Sequence, residues 1–262
     1  MKSIGLIGFG FMGSAMVRGM GTTYPDLVLR VVEKDGDRRT SAVTQYNALD
    51  CTDTPADIVH HSDVIILAIK PQDLKHLQLP PVKDTPVLSI LAGVSIDTIA
   101  QQLGATQVIR VMPNLAADIG QAVMGVTFSS SCSDATRAQI IPLLQPLGTV
   151  LEVTEDKMAA ITAVSGSGIA FACAFIEAMA LGAVQQGLPY GQAIEAARDV
   201  VASAAALLKE TGVHPREMVS RVSSPGGTTI AGIRALAAGG MEGVVMDALQ
   251  RAADRSREIE AG

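Results

Sequence analysis

Hydrophobic positions along the chain follow two different rhythms. In residues 1–155, short β-rich runs alternate with stretches of helical period. Ser3–Gly8, Val28–Glu33, Val64–Ile69, Pro86–Leu91 and Gln107–Met112 read as strands, followed by Val123–Phe128 and Thr149–Val153. Between them, Met12–Met20, Asp37–Leu49, Ser95–Leu103 and Ser133–Leu147 read as helices. The run VIILAI, Val64 to Ile69, is apolar at every position, as a strand covered on both faces requires. Strand alternating with helix predicts an α/β fold with a doubly wound, mostly parallel sheet.

The strand signals stop after Asp156. Residues 156–262 read as an all-α domain with helices at Gly168–Gly187, Tyr190–Thr211 and Met241–Glu260, and a shorter one around Pro215–Arg221. Ile169–Val184 is apolar almost all round. It is shorter than a membrane span, contains Glu177 and is followed by Gln185 and Gln186, so a buried helix is expected. A helical domain this short covers its apolar faces most easily by intertwining with a second copy, and the expectation is an obligate dimer at least.

Composition narrows the partners. Of 262 residues, 48% are hydrophobic and 18% charged, enough apolar content for a sizeable core. The net charge of -6, five Phe, three Tyr and no Trp argue against a nucleic-acid or anionic-membrane surface. Small molecules or other copies of the chain remain. Cys51, Cys132 and Cys173 are odd in number and far apart, which suits free thiols in a reducing, cytoplasmic setting. His60, His61, His76 and His214 lack ligand spacing, so no metal site is expected. The N-terminal MKSIGLIGFGFMGSAMVRGM mimics a signal peptide, but its glycine spacing fits a folded strand-turn-helix better.

That spacing carries chemistry. Gly8-Phe9-Gly10-Phe11-Met12-Gly13 is a G-x-G-x-x-G between a predicted strand and a predicted helix, the context a dinucleotide site needs. Gly8 permits the tight turn, Gly10 lets a pyrophosphate reach the backbone, and Gly13 lets helix pack on strand. Phe11 and Met12 open the helix whose N-terminal N–H groups face the phosphates. Glu33, twenty residues after Gly13, is placed to bind a ribose 2′-OH, whereas Lys34, Arg38 and Arg39 could instead pair with a 2′-phosphate. A solvated, charge-compensated helix start explains the same four residues, so the choice between NADH and NADPH stays open. Ala68-Ile69-Lys70-Pro71 ends another strand at the ligand-binding edge, where Lys70 is either a cofactor contact or a surface lysine. Arg110-Val-Met-Pro-Asn114 brings Asn114 to the same edge.

Late in the helical half stands VSSPGGTTI, Val222 to Ile230. A helix cap needs one serine and a proline; the double glycine points to a ligand. The N–H groups of Gly226, Gly227 and Thr228 at a helix start would form a nest for a small carboxylate. The turn is expected to need φ > 0. Pro225 fixes the entry, and Ser224 is expected to bond within the loop or cap the helix.

Taken together, G-x-G-x-x-G, AIKP at 68–71, RVMPN at 110–114, VSGSG at 164–168 and SSPGGTT at 223–229 resemble the pyrroline-5-carboxylate reductase family, from Ile4 to about Arg257. The resemblance implies a Rossmann domain followed by a helical dimerisation domain, with dimers often assembled into decamers. It implies reduction of the C=N bond of 1-pyrroline-5-carboxylate by hydride from NADPH or NADH, the last step of proline biosynthesis. It also implies that SSPGGTT of one subunit holds the substrate beside the nicotinamide on the partner subunit, with Ser224, Gly226, Gly227, Thr228 and Thr229 in contact. Thr229 would aim its hydroxyl at the ring nitrogen, and Val164, Ser165 and Gly166 would shape the nicotinamide and substrate wall. An iminium carbon accepts hydride readily, so no catalytic histidine or carboxylate pair is required, and Glu177 and Glu195 read as helix residues.

Two motifs depart from the family. Ile169-Ala170-Phe171 replaces Pro-Ala-Tyr after SGSG, and Leu115-Ala116 replaces Thr-Pro after MPN. The rival enzyme is a β-hydroxyacid dehydrogenase, which needs a general acid–base lysine in the second domain. Lys157 and Lys209 are the lysines beyond residue 155, and neither is well placed. A rival of another class is a dinucleotide-binding regulatory protein without turnover.

Overall fold

A computed structural model of the chain describes residues 2–46, 48, 50–52 and 55–261. The strands are β1 (Ser3–Ile7), β2 (Val28–Val32), β3 (Asp50–Thr52), β4 (Val64–Leu67), β5 (Val87–Ser89), β6 (Val108–Met112), β7 (Ala122–Phe128) and β8 (Gly148–Glu152). They form one sheet in the order β3-β2-β1-β4-β5-β6-β7-β8. All pairs are parallel except β6–β7, where Ile109 faces Phe128. The chain starts at β1, builds outward through β2 and β3, then crosses to β4 on the other side. The crevice at the carboxyl ends of β1 and β4 is therefore the topological switch point, where ligands of such sheets bind.

Side-chain alternation explains the two layers. On β4, Val64 and Ile66 join one core cluster with Ile4 and Leu6, while Ile65 and Leu67 join the other with Ile7. The first cluster is closed by α1 (Phe11–Thr23) through Met16 and Met20; α2 (Gly36–Tyr46) adds Ala42 to it. On the other face lie α3 (Ala56–His61) through Ile58 and α4 (Ile96–Leu103) through Ile99 and Leu103. α5 (Asp134–Leu144) returns to the first face through Ile140 and Leu144. The starts of α4 and α5 are set by capping serines: Ser95 Oγ accepts from Thr98 N–H and Ser133 Oγ from Thr136 N–H, both at 3.1 Å.

Beyond β8 come α6 (Met158–Ile161), a π-helical turn at Thr162–Ser167, and α7 (Gly168–Gln185). Then follow α8 (Tyr190–Thr211), α9 (Pro215–Val222), α10 (Thr228–Ala238) and α11 (Met241–Ala261). By internal contacts the chain forms two units, residues 1–166 with 252–262, and residues 167–251. That division falls later than the expected 155/156 boundary, and the end of α11 belongs to the first unit.

The expected strands are present within a residue or two at each end, and β3, α3 and a 3₁₀ turn at Pro71–His76 are additions. The expected helix Asp37–Leu49 is observed as Gly36–Tyr46; Asn47 and Leu49 lie outside the described residues. Within one chain the apolar helix expected at Ile169–Val184 is covered in part. In the single chain only the face of α7 bearing Ala180 is covered, packed with Ala193 and Ala197 of α8. Small side chains there let the two backbones approach, while Phe171, Phe175, Met179 and Leu181 remain exposed. Glu155–Gln185 is long and apolar enough to cross a membrane by composition.

In the first unit, Arg110 on β6 is buried, its side chain 3% exposed, between Glu155 at 3.1 Å and Glu260 at 2.6 Å. Glu155 also accepts from the Ile96 N–H, so the cluster ties the chain's last helical turn to β6 and α4. Arg110→Met leaves two carboxylates facing each other without their cation. It is expected to cost about 3 kcal/mol of stability, measurable by urea unfolding; an unchanged midpoint would show the cluster to be dispensable.

Candidate active site

The glycine loop leaves β1 and enters α1 in a conformation few other residues allow. Gly8 has φ +97°, and a Cβ there would lie 2.6 Å from the Ala68 carbonyl oxygen. A Cβ on Gly13 would lie 2.4 Å from the Gly8 carbonyl oxygen, so this glycine sets the approach of helix to loop. Gly10 differs, because its missing Cβ faces open space with Arg38 Nη1 at 3.9 Å as the nearest atom. Gly10 is also the N-cap of α1 and supplies no side-chain cap, so the first-turn N–H groups face outward uncapped. An open cradle at an uncapped helix start fits a pyrophosphate.

A cleft of about 550 Å³ opens at this point, lined by Gly8, Gly10, Phe11, Met12, Glu33, Lys34, Arg38, Ala68 and Lys70 among others. Sequence-predicted residues from three strand ends are thus brought together on one edge of the sheet. Gly13 lies beneath the loop, and Pro71 starts the 3₁₀ turn beyond Lys70. That turn contributes Asp73 and His76 to the cleft wall, and Leu77 and Gln78 follow. Nothing in their sequence marks them, since a short turn carries no periodicity.

Glu33 has a more definite task than the sequence suggests. Its Oε2 accepts from the Phe9 N–H at 2.7 Å and its Oε1 from the Asp35 N–H at 3.0 Å. The carboxylate therefore pins the glycine loop to the end of β2, while Arg39 Nη1 donates to the Glu33 carbonyl at 3.2 Å. Lys34 and Arg38 are exposed in the cleft. Asn114 is elsewhere: its side chain is buried, donates to the Ser165 carbonyl and accepts from Ala116 N–H, and does not line this cleft.

In VSGSG, Val164 and Gly166 are exposed and Ser165 is buried between them, its hydroxyl donating to the Ile161 carbonyl at 2.9 Å. A hydroxyl so engaged points inward, away from any bound ligand on the exposed side.

In the second unit, Ser224 to Gly227 form a turn closed by the Gly227 N–H donating to the Ser224 carbonyl at 3.0 Å. Pro225 occupies its second position and Gly226, at φ +68°, its third, as a type II turn demands. The expected positive φ is present. The nest, however, is shifted: the Gly227 N–H is spent on the turn, and the free groups belong to the first turn of α10. Gly227 is the N-cap of α10 and no side chain caps it, so Ser224 does not serve as that cap. Ser224 Oγ instead lies over Gly227, where a Cβ would meet it at 2.3 Å. Thr228 is exposed and Thr229 half-buried at this open helix start.

Glu177 accepts from the Tyr190 hydroxyl at 2.9 Å, joining α7 to α8 and raising the Tyr190 pKa. Lys157 pairs with Asp156 at 2.8 Å on the surface, and Lys209 is exposed in the last turn of α8. Neither is set in a cleft as an acid–base lysine must be. Among the described residues no three His, Cys, Asp or Glu side chains gather to hold a metal.

The chain is similar to known proteins along nearly its whole length. Residues 155–259 match the family model described as pyrroline-5-carboxylate reductase dimerisation, and residues 3–93 match that of NADP oxidoreductase, coenzyme F420-dependent. The chain is 37% identical over 259 residues to a pyrroline-5-carboxylate reductase of Aquifex aeolicus, covering 98% of this chain and 97% of that one. The solved structure of 1-pyrroline-5-carboxylate reductase from Streptococcus pyogenes superposes with a TM-score of 0.86 at 30% identity, covering 98% of each chain. The fold is shared with the Plasmodium falciparum enzyme crystallised with NADP bound, at a TM-score of 0.83 and 21% identity, covering 99% and 98% of the two chains. With this identity along nearly its whole length, the chain belongs to the pyrroline-5-carboxylate reductase family.

Proposed function

We propose that the protein reduces 1-pyrroline-5-carboxylate to L-proline with NADPH or NADH, closing the route of proline biosynthesis. The observation that carries this reading is that one family-length chain holds both the open Gly10 cradle and the uncapped start of α10 behind SSPGGTT. The reduced nicotinamide supplies hydride when bound; the chain's own residues do the rest. Gly8, Gly10 and Gly13 admit the pyrophosphate to the start of α1, with Phe11 and Met12 in its first turn. Lys34 and Lys70 offer charge to ribose and phosphate groups, Ala68 lines the cleft, and Pro71 starts the turn that carries Asp73 and His76 into its wall. Glu33 holds the loop in place.

In the helical unit, the N–H groups at the start of α10 would take the substrate carboxylate, aided by the dipole of an eleven-residue helix. Thr229 Oγ1 would accept from the protonated ring nitrogen, keeping the C=N bond as an iminium and its carbon electrophilic. Ser224, Gly226, Gly227 and Thr228 build the loop that makes this possible. Val164, Ser165 and Gly166 form the wall, with Ser165 acting from within.

The protein forms a homodimer through its dimerisation region. Exposed apolar side chains such as Leu181, Val200, Leu207, Val244 and Met246 are the surface a second copy would cover. Each such side chain, fully buried, stabilises by about 1.5–3 kcal/mol. Assembly of dimers into a decamer, a cytoplasmic location, and the lack of nucleic-acid or membrane partners are further parts of the proposal.

A shared site has a measurable signature. When Gly10→Ala and Thr229→Ala chains are mixed and re-dimerised, half the dimers are hybrids, and each hybrid has one intact site if loop and cradle come from different subunits. The mixture is then expected to regain about a quarter of wild-type activity. Activity no greater than the average of the two variants would place loop and cradle in the same subunit.

A further inference from the structure

We propose that Asn114 is a positioning residue for the reduction, acting through the VSGSG segment and not by touching the cofactor. The proposal rests on the reductase reading above. Asn114 follows β6 and is 7% exposed. Its Oδ1 accepts from the Ala116 N–H at 3.2 Å, and its Nδ2 donates to the Ser165 carbonyl at 2.9 Å, across 51 residues of sequence. One partner is a donor and the other an acceptor, so the orientation of the amide is fixed by its surroundings.

The segment it grips is unusual. Thr162–Ser167 is a π-helical turn between α6 and α7, a geometry rare in proteins and frequent at functional sites. Ser165, at its centre, is 5% exposed and its hydroxyl is turned back to the Ile161 carbonyl. The hydroxyl and the carbonyl of Ser165 are thus held from inside, the hydroxyl by the end of α6 and the carbonyl by Asn114. Held in this way, the turn presents Val164 and Gly166 outward on either side. Asn114 also caps the 3₁₀ turn Leu115–Ile119, where the chain departs from the family's Thr-Pro. A single side chain therefore couples the two motifs that flank the expected nicotinamide wall.

Asp is the discriminating replacement, because it keeps the shape and the contact to Ala116 N–H yet turns an acceptor toward the Ser165 carbonyl. Asn114→Ala, which adds no charge, serves as the second variant. In both, amide exchange of peptides covering residues 162–168 is expected to quicken at least fivefold. The kcat for pyrroline-5-carboxylate should fall at least tenfold, and the NADPH Kd should stay within twofold of wild type. Unchanged exchange, or quickened exchange with kcat intact, would overturn the positioning role. So would a Kd that weakens in step with kcat, which would make Asn114 a cofactor contact. A wild-type chain that does not turn over the substrate would sink the reductase reading, while the exchange data would still decide whether Asn114 holds the turn.

Discussion

Replacing Thr229 by Ala is expected to lower kcat about 100-fold, the cost of removing one well-placed polar group from a reacting centre, with cofactor affinity unchanged. Thr229 is the second residue of α10 and half-buried, at a helix start that no side chain caps. In the proposed reaction its hydroxyl accepts from the ring nitrogen, which must stay protonated while the neighbouring carbon accepts hydride. Loss of the hydroxyl leaves in place the helix N–H groups proposed to take the carboxylate, so KM should move far less than kcat. Thr229→Ser, which restores the hydroxyl, is expected to recover most of the rate. If Ala and Ser behave alike, the hydroxyl has no such role.

The three glycines of the N-terminal loop should separate cleanly into two kinds. Gly10→Ala adds a methyl into open space, with nothing nearer than 3.9 Å, so folding should be untouched. That methyl stands where the pyrophosphate is proposed to meet the start of α1, and the Kd for NADPH is expected to rise about 100-fold, or roughly 2.7 kcal/mol. Gly8→Ala and Gly13→Ala instead force a methyl against backbone oxygens at 2.6 and 2.4 Å. Both should lose about 2 kcal/mol or more of stability. Thermal melting and cofactor titration of the three variants distinguish the two classes. Parallel losses of stability in all three would mean that the Gly10 cradle is structural and not a ligand opening.

What could be read from the residues themselves was whatever a residue type alone dictates. VIILAI announces a strand covered on both faces, and its alternating side chains do divide between two core layers. Gly8 and Gly13 announce a turn and a close approach, and the neighbours that enforce both are found in place. Strand β3, three residues long and polar at both ends, has no such pattern, and the 3₁₀ turn after Lys70 has none either. The direction of β7 is not written in β7, because alternation is the same whichever way a strand runs.

Partners distant in sequence were the least legible. Glu33 carries the spacing of a ribose ligand, yet its oxygens hold the Phe9 and Asp35 N–H groups, which no spacing rule foretells. Asn114 reads as an edge residue until Ser165 is found against it. The apolar character of α7 was legible, and so was the need to cover it; which face packs on α8, the one bearing Ala180, was not, because alanine recurs on every side of the helix. The SPGG turn lay between these cases. Its positive φ follows from glycine, whereas the spending of the Gly227 N–H on the turn follows from a fold of four residues seen only in three dimensions.

Everything above converges on hydride transfer from NADPH or NADH to the C=N bond of 1-pyrroline-5-carboxylate. Its most direct test is the loss of reduced-nicotinamide absorbance on adding that substrate to the wild-type protein, with both cofactors tried and the product identified. Saturable oxidation is expected, with one proline formed for each nicotinamide oxidised; no oxidation with either cofactor, or oxidation without proline, would show that the chain is not this reductase.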